Sequence, residues 1–123
     1  MALHESGQMY LEAIYVLLQK SKKIRAIDIG AYLGYTKPSV SRALGILKKN
    51  GYVSVDTEGY ISLNESGRAL SEQLYERHTV LTQMLMELGV DEATATEDAC
   101  RIEHVISDTS FAAAKKHYLN SKK

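Results

Sequence analysis

The sequence has little of what disulfide-stabilised, secreted or membrane proteins need. Of its 123 residues one is cysteine, one is proline and none is tryptophan, and no apolar run approaches the roughly 20 residues of a membrane-spanning helix. The N-terminus lacks the basic and then apolar pattern of a signal peptide, so we expect a cytoplasmic protein. A single cysteine cannot form an internal disulfide, and Cys100 is therefore a small core residue, a metal ligand or a reactive thiol.

The chain also lacks an overall excess of charge, because 15 Lys and Arg residues balance 15 Asp and Glu residues. The distribution is nevertheless uneven. Residues 1–63 carry eight basic and five acidic side chains, whereas residues 64–123 carry seven basic and ten acidic ones. This asymmetry favours an anionic partner for the first half and a cation for the second, although charged stretches are usually just solvated surface.

Hydrophobic periodicity predicts three helices, a β-hairpin and three more helices. The segment QMYLEAIYVLLQK has a helical period over residues 8–20, and a short second helix over residues 27–33 stops at Gly34. Thr36 is the expected N-cap of a third helix over residues 37–50, with Pro38 in its first turn. The remaining predicted elements are strands over 52–55 and 60–63, a helix from a cap at Asn64 to about Glu87, a helix from Asp91 to about Ile106, and a helix over 109–119 capped by Asp108.

This order predicts a mostly α fold with a small β-hairpin: a winged helix-turn-helix at residues 1–63 and an all-helical domain at residues 64–123. The third helix would read DNA, while basic residues at 22–25 and 48–49 follow the phosphate backbone. Asp56 and Glu58 in the hairpin turn repel phosphate, so we expect the wing to contribute little to DNA affinity. The residues expected to meet bases or phosphates are Thr36, Lys37, Pro38, Ser39, Ser41 and Arg42.

A second group of polar side chains lies in ACRIEHVISD, residues 99–108. Cys100, Glu103 and His104 are three and four positions apart, so they share one face of a helix. A thiol, a carboxylate and an imidazole are good ligands for a transition metal, although each alone is more often a core or surface residue. Met9 and Glu12 on the first helix and His78 on the fourth offer further ligand-type groups, but spacing alone does not show that they converge.

Four segments, MYLEAIYVLL, KPSVSRAL, YERHTVL and DACRIEHVISD, occur in the order found in a known family. The chain resembles the metal-dependent repressors typified by the diphtheria toxin repressor and the manganese transport regulator. The resemblance implies a homodimer that binds double-stranded operator DNA when Fe²⁺ or Mn²⁺ is bound between its two domains. The sequence ends soon after the sixth predicted helix, so we expect it to lack the SH3-like third domain of the longer iron regulators.

The same resemblance assigns ligands by position. Met9, Cys100, Glu103 and His104 match the primary site of the iron-type branch, while Glu12 and His78 match the second metal position of the manganese-type branch. Thr82 and Thr96 stand where the iron-type branch has the carboxylate and histidine of its ancillary site, so that site is expected to be absent.

Thioether and thiolate ligands are soft, which favours Fe²⁺ over Mn²⁺. We therefore expect Fe²⁺, with Mn²⁺ as the main competitor and Ni²⁺, Co²⁺ or Zn²⁺ as surrogates in vitro. The function predicted from the sequence is a metal-activated repressor of iron or manganese homeostasis genes. One alternative is a manganese-specific regulator of the same family, and another is a redox-sensing winged-helix regulator that uses Cys100. A metallohydrolase with Glu103 as general base ranks last, so no enzymatic activity is expected.

Overall fold

The structure is a computed structural model that describes Leu3 and residues 5–122. This part of the chain forms two compact units, one up to Glu72 and one from Gln73 onward, and the division falls inside a long helix. The domain boundary expected at residues 63 and 64 stays a prediction. Among the described helices, none combines the length and apolar character that a bilayer crossing requires. The elements are α1 (Glu5–Lys20), α2 (Ala26–Leu33), α3 (Lys37–Lys49), β1 (Val53–Val55), β2 (Ile61–Leu63), α4 (Glu65–Glu87), α5 (Glu92–Val105) and α6 (Asp108–Ser121).

The first unit is built on α1, α2 and α3, which contact one another. Its most deeply buried side chains are Leu11 and Ile14 of α1, Ile29 of α2 and Leu47 of α3, all with no exposed surface. These positions belong to the apolar faces read from the sequence, and burying such side chains stabilises each by roughly 1.5–3 kcal/mol relative to exposure. The helical predictions for this half are therefore confirmed.

The hairpin completes the first unit and has the expected alternation. β1 and β2 pair antiparallel with Val53 opposite Leu63 and Val55 opposite Ile61. Val53 and Ile61 are buried, whereas Ser54 and Ser62 between them are exposed. Each strand has three residues rather than four, and a fold of helices with one small antiparallel hairpin confirms the fold class predicted from the sequence.

The second unit consists of the C-terminal part of α4 together with α5 and α6. Val80 and Leu81 of α4, Ala99 of α5 and Phe111 of α6 form its apolar core. The half-buried side chains of Met84, Ile102, Ile106 and Tyr118 pack against that core.

The start of α1, the cap of α6 and the role of the Asn64 side chain differ from the sequence predictions. α1 begins at Glu5 rather than at residue 8, because polar residues can extend a helix without contributing to its apolar period. Asn64 precedes α4, but its side chain donates to the Gly51 carbonyl and accepts from the Ser54 hydroxyl, so it fixes the hairpin. Asp108 is not the cap of α6: Ser107 is, with its hydroxyl accepting the Ser110 N–H at 3.1 Å.

Candidate metal centre and nucleic-acid interface

The turn between α2 and α3 sets where the third helix begins. Gly34 has a φ of 72°, a left-handed conformation that glycine adopts without the steric cost of a side chain. Its N–H and that of Tyr35 both donate to the Gly30 carbonyl, at 2.8 and 3.1 Å. Thr36 then caps α3, because its side-chain oxygen accepts the Ser39 N–H at 3.4 Å. The sequence prediction of this cap is confirmed.

The six residues predicted to meet DNA lie at this helix start, and most are accessible. Thr36 donates a hydrogen bond from its hydroxyl to the Ser39 hydroxyl at 2.9 Å, so these two side chains are partly used in capping. Lys37, Pro38, Ser41 and Arg42 are exposed, and Ser39 is half-buried. The N-terminal turn of α3 therefore presents a cationic and hydroxyl-bearing surface, which suits phosphate and base contacts.

In the second unit, the structure brings together three of the predicted metal ligands. Glu103 of α5 is fully buried. Its Oε2 atom lies 3.0 Å from Nδ1 of His78 on α4, and its Oε1 atom lies 3.2 Å from Nε2 of His104. The position of Glu103 continues the buried stripe of Ala95 and Ala99, and this pattern is a sequence signal that the carboxylate points inward.

Arg77 holds the end of α5 beside this cluster, and the sequence interpretation missed it. Its side chain is only 3% exposed and donates to the carbonyl oxygens of Glu103 at 3.4 Å and Ile106 at 2.7 Å. It also pairs with the carboxylate of Asp108, and its guanidinium lies 5.4 Å from the Phe111 ring centre. Arg77 follows the buried positions 70 and 74 at helical spacing, which could have indicated its burial.

The donor set fits a divalent transition metal. A buried carboxylate is costly unless a positive charge or hydrogen bonds compensate for it. His78 Nδ1 approaches Glu103 Oε2 to 3.0 Å, so an imidazole nitrogen lies beside the buried carboxylate. Two imidazole nitrogens around one carboxylate are the ligand types that Fe²⁺, Mn²⁺ and Zn²⁺ accept.

The other predicted ligands lie on α1 in the first unit and on α5 in the second unit. Met9 and Glu12 are half-buried on α1, three positions apart. Cys100 is half-buried on α5, one turn before Glu103. A thioether, a second carboxylate and a thiol are therefore available on these helices, but their use as ligands stays a prediction.

The class of protein follows from the fold. A helix-turn-helix with a two-stranded wing, followed by three helices that carry a buried carboxylate and imidazole cluster, defines a winged-helix regulator with a metal-binding domain. Residues 2–61 match the family "Iron dependent repressor, N-terminal DNA binding domain". Residues 64–118 match "Iron dependent repressor, metal binding and dimerisation domain". The chain belongs to this family of iron- and manganese-dependent transcriptional repressors.

Individual relatives agree with this assignment. The chain is 33% identical to the HTH-type transcriptional regulator MntR of Lysinibacillus sphaericus over 106 residues, covering 86% of this chain and 76% of the relative. It is 31% identical to an uncharacterised HTH-type transcriptional regulator of Methanocaldococcus jannaschii, covering 86% of both chains. The solved structure of the manganese regulator SloR superimposes with a TM-score of 0.82 at 27% identity, covering 98% of this chain and 55% of that one. The chain thus spans about half the length of the solved structures that it matches.

Proposed function

We propose that this protein is a cytoplasmic, divalent-metal-activated repressor that binds operator DNA as a homodimer and has no catalytic activity. The observation that carries the proposal is the Glu103 carboxylate, which is fully buried between nitrogen atoms of His78 and His104. A bound divalent ion would place positive charge beside this buried carboxylate, and both imidazoles could share the ion with it. Arg77 keeps the C-terminal end of α5 in place, so the Glu103 and His104 side chains are held on a fixed helix.

The proposed ligand set combines hard and soft donors. Glu103, His104 and His78 supply carboxylate oxygen and imidazole nitrogen, and Glu12 supplies a second carboxylate. Met9 and Cys100 add sulfur, on the strength of the family resemblance and of their donor chemistry. Sulfur ligands favour the softer divalent ions. We therefore propose Fe²⁺ as the physiological metal, with Ni²⁺, Co²⁺ and Zn²⁺ able to replace it in vitro.

A manganese-specific regulator is the second candidate, and one observation favours it. A solved structure similar to this chain is that of the manganese regulator SloR, and the oxygen and imidazole ligands of Glu12, Glu103 and the two histidines also suit Mn²⁺. The difference between the two candidates is confined to the contribution of Met9 and Cys100, because sulfur is a poor ligand for Mn²⁺.

DNA binding is proposed for the exposed start of α3. Arg42 has the guanidinium geometry that pairs with guanine edges, while Lys37 at the helix N-terminus suits a phosphate. Ser41 and the capping hydroxyls of Thr36 and Ser39 are proposed to meet bases or phosphates, and Pro38 contributes its apolar surface. Homodimerisation is supported by the large apolar side chains that remain exposed in the second unit, of which Leu88 and Val105 are 79% and 64% exposed.

The test is DNA binding under anaerobic conditions. A duplex selected from a randomised library would be titrated with the protein at fixed salt, in the presence of Fe²⁺, of Mn²⁺ or of a chelator. Metal binding would be measured separately by equilibrium dialysis. We expect tight binding with metal and weak binding with chelator. Glu103→Gln should lose metal binding, whereas Glu97→Gln on the exposed face of α5 should not, since Glu97 is 69% exposed.

Two results would contradict the proposal. One is DNA binding of equal strength in metal-loaded and fully demetallated protein. The other is DNA binding that responds to peroxide in the presence of chelator and depends on Cys100, which would favour the redox-sensing alternative instead.

A further inference from the structure

At the base of the wing, the aromatic ring of Tyr60 contacts two cationic side chains from the loop before α2. The ammonium nitrogen of Lys23 lies 4.9 Å from the centre of the Tyr60 ring, and the guanidinium carbon of Arg25 lies 4.4 Å from it. Both distances are within the range of a cation–π contact. The two basic side chains are exposed, so two like charges contact the same ring at the surface.

The backbone fixes this arrangement. Ile24, between the two cations, is 2% exposed, and its carbonyl accepts the N–H of Ile61 in β2 at 2.9 Å. The loop therefore continues the hairpin by one hydrogen bond. Because Ile61 follows Tyr60 directly, the strand that carries the ring and the loop that carries the cations are joined at the same point.

The acidic residues close to this pair are already engaged. The Asp56 carboxylate accepts the N–H groups of Glu58 and Tyr60, each at 2.9 Å, and so closes the wing turn. The Asp28 carboxylate accepts the Arg25 N–H at 2.8 Å. Part of the negative charge of both carboxylates is thus directed to backbone N–H groups. The sequence analysis expected Asp56 to repel phosphate, but in the structure its carboxylate stabilises the wing turn.

We propose that Tyr60 is a positioning residue for DNA: its ring holds Lys23 and Arg25 in one place, where together they bind a phosphate group of the duplex backbone. This inference rests on the proposed function, and it gives the wing a role that its acidic turn had argued against. A flexible lysine or arginine loses rotamer freedom when it binds. Side chains already held on a ring lose less, so preorganisation increases affinity without a new contact to the base edges.

The test compares Tyr60→Leu with Tyr60→Phe on the selected duplex, with metal present. Phe keeps the ring and should bind as tightly as the wild type. Leu removes the π face and should weaken binding by about three- to tenfold, because two unrestrained side chains then lose more rotamer freedom on binding. The double variant Lys23→Gln/Arg25→Gln should reduce the slope of log affinity against log salt by about one, because one phosphate is no longer neutralised.

A double-mutant cycle separates positioning from a general effect on the fold. If the ring acts through the two cations, Tyr60→Leu should cause no further loss in the Lys23→Gln/Arg25→Gln background. Nuclear magnetic resonance of the wild type adds a readout that needs no variant. The side-chain protons of Lys23 and Arg25 should be shifted upfield by the ring, and this shift should persist when the duplex is added.

The outcomes are distinguishable. If the metal-loaded wild type binds no duplex at all, the proposed function fails and this inference fails with it. If the wild type binds and Tyr60→Leu binds equally well, or loses the same factor in both backgrounds, the positioning role alone is wrong. Loss of the upfield shifts on addition of DNA would equally contradict it, since the cations would then have left the ring.

Discussion

The hydroxyl of Tyr35 donates a hydrogen bond to Sδ of Met9, with 3.8 Å between oxygen and sulfur. Tyr35 lies in the turn before α3, and its ring also packs against Tyr10 with 5.7 Å between ring centres. Burial raises the pKa of the Tyr10 hydroxyl, the neighbouring Tyr35 adds to this rise, and Arg42 opposes it. A proposed metal ligand on α1 is therefore in direct contact with the turn that starts α3, the helix proposed to read DNA.

This contact makes Met9→Asp an informative change. A carboxylate can still accept from the Tyr35 hydroxyl, but it is a harder ligand than a thioether and prefers Mn²⁺. We expect the variant to need less Mn²⁺ relative to Co²⁺ for half-maximal DNA binding than the wild type does. Metal titrations followed by fluorescence anisotropy of labelled duplex would measure this ratio. Met9→Leu, which has no ligand atom, should weaken the response to both ions, and an unchanged ratio in Met9→Asp would refute the role of sulfur.

Because Arg77 is buried and its partner Asp108 is exposed, we expect their substitutions to lower the free energy of unfolding by very different amounts. Arg77→Ala would leave the carbonyl groups of Glu103 and Ile106 without their donor and should lower the free energy of unfolding by about 3 kcal/mol. Its partner Asp108 is 83% exposed, so Asp108→Asn should cost less than about 1 kcal/mol. Urea denaturation of the chelated protein would measure both. Equal losses would mean that the ion pair, and not the carbonyl contacts, stabilises this unit.

Sequence periodicity was sufficient to predict the helices and the hairpin, because each places an apolar face toward a core that involves its neighbours. Leu11 and Ile14 show this for α1, and Val53 and Ile61 for the hairpin. Caps were less predictable, since several residues near a helix start can serve. Ser107 and Asp108 both suit an N-cap, and in the structure Ser107 caps α6 while the Asp108 carboxylate pairs with Arg77.

The candidate metal site could be predicted only in part, because helical spacing relates residues of one helix and not residues of different helices. Helical spacing placed Glu103 and His104 on one face, but the approach of His78 from α4 depends on how two helices pack, which spacing does not encode. The pairing of Tyr60 with Lys23 and Arg25 was invisible, because it joins a loop to a strand more than thirty positions away through a single backbone hydrogen bond.

Two glycines in helices predict opposite responses to alanine. A Cβ on Gly67 of α4 would lie 2.1 Å from the Tyr52 carbonyl oxygen, whereas a Cβ on Gly45 of α3 meets nothing within 4 Å. Gly67→Ala must push the helix away from the hairpin and should lower the free energy of unfolding by about 1–3 kcal/mol. Gly45→Ala should raise it by up to about 1 kcal/mol, because alanine favours a helix. Denaturant titrations would check both signs, and a stabilising Gly67→Ala would show that the contact is absent.

The N-cap of α5 makes the stability of the protein depend on pH. The Asp91 carboxylate accepts the Thr94 N–H at 3.0 Å, and this hydrogen bond lowers the pKa of Asp91 below its ordinary value of 3.8. A carboxylate whose pKa is lower in the folded than in the unfolded chain stabilises the fold above the unfolded pKa. That contribution disappears as the pH falls through the folded pKa.

Asp91→Asn tests this dependence, because asparagine caps a helix without titrating. The melting temperature of the wild type relative to Asp91→Asn should be constant from pH 7 to about pH 5 and should fall below about pH 4, the window in which Asp91 takes up its proton. Circular dichroism melts of the chelated protein at several pH values would measure the difference. Asp91→Ala, which cannot cap, should melt below Asp91→Asn at every pH. Parallel curves for wild type and Asp91→Asn down to pH 3 would mean that the charge of Asp91 does not stabilise α5.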